Sequence, residues 1–283
     1  MVCRHGIECS EIECIYSCSH WSSLLPPHLV IKKFISAMER CHNENKISVK
    51  CTADIAYGES DRQRIDIWGD EENSRMGIAF FHGGYWQEGD RKYFTSMVKP
   101  LTESGIAVAC VGYDLALSLP LTALIDEAIK ALQFLRERWK MKQLSVGGHS
   151  AGAHLALSAV LSLSHECRFD CVFLLSGIFQ LSDLPGTYIG KAINLTLEEA
   201  RKVSIREVAQ FKGRVRLMVG SLESPEIIAQ SERIHELFRS RNNKDVELKL
   251  IDGEDHFSLI ENLSDRNSLQ MIEILNTINQ KGC

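Results

Sequence analysis

The sequence predicts an α/β fold in which helices cover both faces of a mostly parallel central sheet, with an antiparallel hairpin at its N-terminal edge. Three observations predict it. From Ile78 onward, short apolar runs alternate with longer segments of helical spacing, the pattern of strands buried on both faces. Ahead of that alternation, two strand-like runs flank the polar turn Gly58-Glu59-Ser60-Asp61 and read as a hairpin. The chain has 283 residues, 45% of them hydrophobic, which is enough to bury a core without staples.

The elements follow in order. Residues 1–45 form an N-terminal extension, a tail followed by a helix that Pro26-Pro27 opens and that runs to Arg40. The hairpin strands are Thr52–Tyr57 and Arg64–Trp68. Ile78–Phe81 is the next strand, and Arg91–Glu103 reads as a helix kinked at Pro100. Strand Ile106–Val111 precedes a long helix, Leu121–Trp139, whose apolar residues recur at helical spacing. Leu144–Val146, a helix from Ala151 to Ser164, and the strand Cys171–Leu175 come next. Residues 177–213 then break the rhythm. The stretch is too long for an ordinary connection and is expected to be a lid-like excursion. Val215–Val219, a helix from Pro225 to Arg239, Val246–Ile251 and a helix over Leu269–Ile278 complete one domain spanning 1–283.

Composition removes several function classes. The formal net charge is −5 and there is no basic tract, which argues against a nucleic-acid partner. No apolar window has the length of a membrane span. The start, Met1-Val2-Cys3-Arg4-His5-Gly6, lacks the pattern of a secretory signal, so a cytoplasmic protein is expected. Four of the ten cysteines fall early, at Cys3, Cys9, Cys14 and Cys18. Their gaps are irregular and contain no C-x-x-C pair, so neither a zinc site with His5 or His20 nor a disulfide framework is expected. Cys110 and Cys171 lie inside apolar runs and read as small core residues.

The sharpest local signal is Gly148-His149-Ser150-Ala151-Gly152, set between an apolar run and a helix. That is the strand–turn–helix context of a G-x-S-x-G nucleophile elbow. Glycines flank the serine because side chains there would strike the neighbouring strand and helix. The turn also presents the hydroxyl at a helix N-terminus, where the dipole favours developing negative charge. A serine hydroxyl needs a base. His256 fits, on the loop after the last strand, whereas His235 falls inside a predicted helix. The third member should be a carboxylate after the preceding strand, which points to Glu223, with Asp183 as the rival. Asp252 and Asp255 lie too close to His256 in sequence to reach round its ring. Oxyanion donors should be the N–H of Ala151 and those of Gly83 and Gly84 in His82-Gly83-Gly84-Tyr85-Trp86. His82 reads as a residue that pins its loop, and His149 and His154 as packing or hydrogen-bonding residues. Tyr85 and Trp86 are candidate substrate-binding residues, with core support as the equal alternative.

His82-Gly83-Gly84-Tyr85-Trp86 and Gly148-His149-Ser150-Ala151-Gly152-Ala153-His154-Leu155 together resemble the arylformamidases, or kynurenine formamidases, of animal type. These are α/β-hydrolase enzymes. Tyr57-Gly58, Ile65-Asp66-Ile67, Gly112-Tyr113-Asp114-Leu115, Glu223-Ser224-Pro225-Glu226, Asp255-His256-Phe257 and Glu11–Trp21 extend the resemblance over nearly the whole chain. In two places the chain departs from that family. Glu223 stands where Asp is common, and Leu115-Ala116-Leu117 lacks a proline often found there.

The resemblance implies hydrolysis of N-formyl-L-kynurenine to L-kynurenine and formate in tryptophan catabolism, with no metal or organic cofactor. The expected partners are that small-molecule substrate and, at most, a second copy of the chain in a homodimer. A carboxylesterase on small aryl or acyl esters would use the same residues. A non-catalytic binding protein on a hydrolase scaffold would be expected to have lost at least one of them.

Overall fold

The computed structural model describes residues 2–139, 143–164, 168–208 and 211–280. Two short helices, α1 (Glu11–Tyr16) and α2 (Cys18–Trp21), precede the long α3 (Pro27–Ser48). Ser10 caps α1 reciprocally with Glu13, each side chain accepting from the other's backbone N–H. Helix α3 runs past its expected end at Arg40, because no glycine or proline interrupts residues 41–48. Its last turn is anchored by buried Asn45, whose amide donates to the Thr95 carbonyl at 2.7 Å.

Strands β1 (Cys51–Ala56) and β2 (Arg64–Trp68) form the antiparallel hairpin, and β3 (Met76–Phe81) follows. The single helix expected over 91–103 is instead a 3-10 turn, Arg91–Tyr93, and a separate short helix, α4 (Val98–Thr102). Proline has no N–H and is tolerated only in a first turn, so Pro100 forces the helix to begin just ahead of it. The break also lets Phe94 and Met97 turn into the core. After β4 (Ile106–Val111) come α5 (Leu121–Arg138), β5 (Gln143–His149), α6 (Ala151–Leu163) and β6 (Cys171–Leu175). The 177–213 stretch contains α7 (Tyr188–Ala192) and α8 (Leu197–Val203). Then follow β7 (Arg214–Gly220), α9 (Pro225–Ser240), β8 (Val246–Ile251), α10 (Ser258–Glu261) and α11 (Leu269–Asn279).

The eight strands form one sheet in the order β1-β2-β4-β3-β5-β6-β7-β8, antiparallel at β1 and β2 and parallel from β4 to β8. Successive residues of a strand feed opposite faces, as the two-residue pleat requires. Ala107, Ala109 and Val111 of β4 join the core under α5, α6 and α9, while Ile106, Val108 and Cys110 join the core under α3, α4 and α11. Cys110 and Cys171 are both buried in the second of these cores. Among the described residues no helix is long and apolar enough to cross a membrane.

One buried ion pair ties the hairpin to the loop after β3. Arg91 is 5% exposed and its Nε lies 3.0 Å from Asp66, itself 2% exposed. Asp54 at the β1 irregularity also pairs with Arg91. Removing the guanidinium would strand a buried carboxylate, so Arg91→Ala is expected to cost about 3–5 kcal/mol in urea unfolding. Arg138→Ala, which breaks the more exposed pair with Glu71, should cost about 1 kcal/mol or less. Equal effects of the two substitutions would show that the buried pair does not hold the hairpin.

Candidate active site

In a parallel sheet every strand delivers its following loop to the same edge. Here β3, β5, β6, β7 and β8 end together, and their loops carry Gly83 and Gly84, Ser150, Ser176, Glu223 and His256.

Ser150 joins β5 directly to α6 with φ 54° and ψ −120°, a backbone region that non-glycine residues rarely enter. The turn is held by its N–H donating to the Leu175 carbonyl at 2.9 Å. Helix α6 sits so close to the end of β3 that a methyl group on Gly152 would lie 2.2 Å from the Phe81 carbonyl oxygen. The glycine two residues after the serine is therefore a packing requirement.

His256 follows β8 on a turn shaped by Asp255. One Asp255 oxygen accepts from the N–H groups of Phe257 and Ser258 at 2.9 and 2.8 Å, and the other accepts from Ser22. The His256 ring donates through Nδ1 to Glu223 Oε2 at 2.7 Å. Ser176 donates its hydroxyl to the other Glu223 oxygen. Both carboxylate oxygens are thus engaged in a buried site, an arrangement that fixes the ring's tautomer and tilt.

Burial of the imidazole disfavours its charge, but the Cys18 thiol and the Glu223 carboxylate against it outweigh that and raise its pKa well above the ordinary value. His149 packs beside it, ring centroids 4.5 Å apart, and bonds the His256 carbonyl through Nε2 at 3.0 Å. Burial and the neighbouring imidazole keep His149 uncharged, with its pKa well below the usual value.

Ser150, His256, Gly83, Gly84 and Tyr85 share one cavity of about 580 Å³. Ser150 and His256 both line that cavity, and among the described residues no hydrogen bond joins the serine to the imidazole ring. Gly83 lies against the serine, since a methyl placed on it would come 3.2 Å from Ser150 Cβ. The N–H groups of Gly83, Gly84 and Ala151 bond to no other described residue. His82 braces this loop by stacking on Tyr113 at 4.1 Å and bonding the Gly83 carbonyl at 2.8 Å. Its burial lowers its pKa to about 4, so the ring stays neutral.

The other sequence candidates are distributed as follows. Asp183 faces the Tyr16 hydroxyl at 3.4 Å rather than His256. His235 lies along α9 beside Glu236. Trp86 is fully buried under His154 and does not line the cavity, so of its two readings the structure favours core support. Tyr85 does line it, and its hydroxyl donates to the Tyr16 carbonyl.

Sequence reasoning missed Cys18 and Ser19 of α2, which form part of the cavity wall, as do Ile31 and Phe34 of α3 and Tyr188 of α7. It also missed Ser176. The position of Ser176 just after an apolar run, at the end of the strand that lies between those preceding the serine and the carboxylate, was the available signal.

A family model for the alpha/beta hydrolase fold matches residues 78–212. A kynurenine formamidase of Danio rerio is 28% identical over 274 residues, covering 92% of each chain. One of Salmo salar is 28% identical over 269 residues, covering 90% of this chain and 91% of that one. A solved Silicibacter protein superposes with a TM-score of 0.79 at 20% identity, covering 96% of this chain and all of that one.

Because the Gly152 position admits no side chain without moving β3, Gly152→Ala should lower stability by at least ~1–3 kcal/mol in thermal or urea unfolding. An unchanged midpoint would mean that the elbow is looser than its packing implies.

Proposed function

We propose that this chain, which has the α/β-hydrolase fold, belongs to that superfamily and is a serine hydrolase that cleaves the formamide of N-formyl-L-kynurenine to L-kynurenine and formate. The observation that carries the reading is the Glu223–His256 pair opening onto the same aromatic-walled cavity as the strained Ser150 elbow. The likeness to the formamidases of two fishes over nine-tenths of the chain supports the choice of substrate.

In this reading Ser150 attacks the formyl carbon as His256 takes the hydroxyl proton through Nε2. The hydroxyl reaches the ring when substrate enters, since catalytic hydrogen bonds tighten in the complex. Oxygen of the tetrahedral adduct accepts hydrogen bonds from Ala151 and from Gly83 or Gly84, each contributing roughly 3–4 kcal/mol in the transition state. The imidazolium returns its proton to the departing arylamine nitrogen. Water, deprotonated by the same ring, then releases formate from the serine ester. Glu223 keeps Nδ1 protonated and steadies the charge on the ring, and Ser176 keeps Glu223 in place. An anilide nitrogen leaves more readily than an alkyl amine, which suits this esterase-like machinery.

The 177–213 excursion contributes Tyr188 to the cavity lining, and residues 1–45 contribute Cys18, Ser19, Ile31 and Phe34, both within one domain spanning 1–283. The unpaired state of every described cysteine supports a reducing, cytoplasmic setting. A second reading, a carboxylesterase of small neutral esters, is favoured by one observation: the described lining residues include no lysine or arginine to meet a substrate carboxylate.

Purified protein given N-formylkynurenine should form kynurenine, followed by its absorbance. Turnover of p-nitrophenyl esters alone would select the esterase instead. Ser150→Ala should lose about 10⁴-fold or more in rate with the fold intact, and a fluorophosphonate probe should label wild type at Ser150. Failure to label would revive a non-catalytic role. Glu223→Ala should cost on the order of 10⁴-fold, whereas Asp183→Ala should stay within a few-fold. The reverse ranking would overturn the carboxylate assignment.

Only the neutral His256 ring accepts a proton, and its pKa is raised. The value of kcat/KM should therefore climb with pH through a midpoint above the ordinary histidine value of about 6.5. Glu223→Gln, by removing the counter-charge, should move that midpoint down. A midpoint that stays put would disconnect Glu223 from the ring's charge.

A further inference from the structure

The early cysteines look unrelated along the chain, but the fold gathers them. Val2 and Glu8 pair as an antiparallel bridge, and inside it the Cys3 N–H donates to the Ile7 carbonyl at 2.9 Å, closing a tight turn. This turn folds back over α1 and α2. As a result one ligand atom each from Cys3, His5, Cys14 and His20 lies within 4.8 Å of all the others. Cys14 Sγ already stands 3.5 Å from His5 Nδ1.

We propose that Cys3, His5, Cys14 and His20 form a structural zinc site that staples the N-terminal segment over the catalytic cavity.

The donor chemistry selects the ion. Two thiols and two imidazoles make a borderline-soft set that suits zinc and offers nothing to calcium or magnesium. With Zn–S near 2.3 Å and Zn–N near 2.0–2.1 Å, ligand atoms of a tetrahedral site stand about 3.3–3.8 Å apart. The cluster therefore needs to contract by only about 1 Å at its widest. All four corners come from protein and none of the four residues lines the catalytic cavity, as in a closed structural site rather than one that activates water.

The surroundings are built to aim these groups. Cys3 and Cys14 are buried, and both are unpaired thiols. The Trp21 indole packs edge-on against the His5 ring with centroids 4.7 Å apart, and its N–H donates to the Cys14 carbonyl at 2.9 Å. His20 has a buried Nδ1 that makes no hydrogen bond among the described residues.

The staple would act on the reaction through what hangs from it. Between Cys14 and His20, the Ile15 carbonyl accepts from Ser224 at 2.6 Å, next to Glu223. The Tyr16 carbonyl accepts from Tyr85 of the glycine loop, and Cys18 lines the catalytic cavity together with His256. A metal that immobilises α1 and α2 holds all three in place.

The test uses the full chain, reduced and stripped with chelator, titrated first with cobalt(II) and then with zinc(II). One equivalent of cobalt should give the ligand-field bands of tetrahedral coordination and a thiolate charge-transfer band, and zinc should abolish both. Cys3→Ser and His5→Ala, at the edge of the fold, should each weaken zinc binding by more than about a hundred-fold, since even outer partners of zinc ligands cost 10–100-fold. The zinc-dependent rise in Tm should disappear in both variants.

Cys9 approaches Cys3 and Cys14, so Cys9→Ser is the control and should retain affinity within a few-fold. Octahedral cobalt spectra, unchanged affinity in Cys3→Ser and His5→Ala, or loss of binding in Cys9→Ser would each overturn the assignment. So would a Cys3–Cys14 disulfide in protein kept under reductant. None of these readings depends on which substrate the serine attacks.

Discussion

The peptide at Ser150 is bent into a conformation that costs of order 1–3 kcal/mol for a residue with a side chain. Most of the site's geometry follows from that bend. It ends β5 abruptly, starts α6 in the opposite sense, and pushes the hydroxyl out where the helix N-terminus and the glycine loop converge. The strain persists because its surroundings over-determine it. The Ser150 N–H is bonded to β6, α6 is pressed onto β3, and Ala151 through Val160 are buried.

The rest of the proposed site is assembled by strand spacing. Neighbouring strands lie about 4.8 Å apart, so the loop after β7 stands two strands from the serine, and the loop after β8 folds back over it. Glu223 is one methylene longer than the aspartate common in the resembling family, and the structure accommodates the length by engaging both oxygens, one with His256 and one with Ser176. Ser150 is thus only one part of a relay of loops, in which Ser176 braces Glu223 and Glu223 braces His256.

The N-terminal segment is more than an appendage. Tyr16 is fully buried and reaches both Asp183 and Glu226, Ser17 meets Tyr188 of the excursion, and Ser22 bonds the Asp255 carboxylate that shapes the histidine turn. These contacts span sequence separations of more than 160 residues. They make the cavity a joint product of the first 35 residues and the strand-end loops. They also give a physical reason for a cluster of thiols and imidazoles in a segment too short to bury itself.

The chain's own pattern determined a good deal. Alternating apolar runs specified a parallel sheet with an antiparallel edge, because burial on two faces and burial on one leave different periodicities. Gly148-His149-Ser150-Ala151-Gly152 specified a tight strand-to-helix turn, because only glycines fit its flanks, and chain order pointed to Glu223 and His256. Other features were decided only by tertiary structure: the break in the 91–103 helix, the length of α3, the burial of Trp86, the brace from Ser176, and the wall formed by Cys18 and Ser19. Each depends on what packs against a residue from far along the chain. Four donors spaced as irregularly as Cys3, His5, Cys14 and His20 give no linear sign of convergence, since their proximity comes from a turn folding back over two helices.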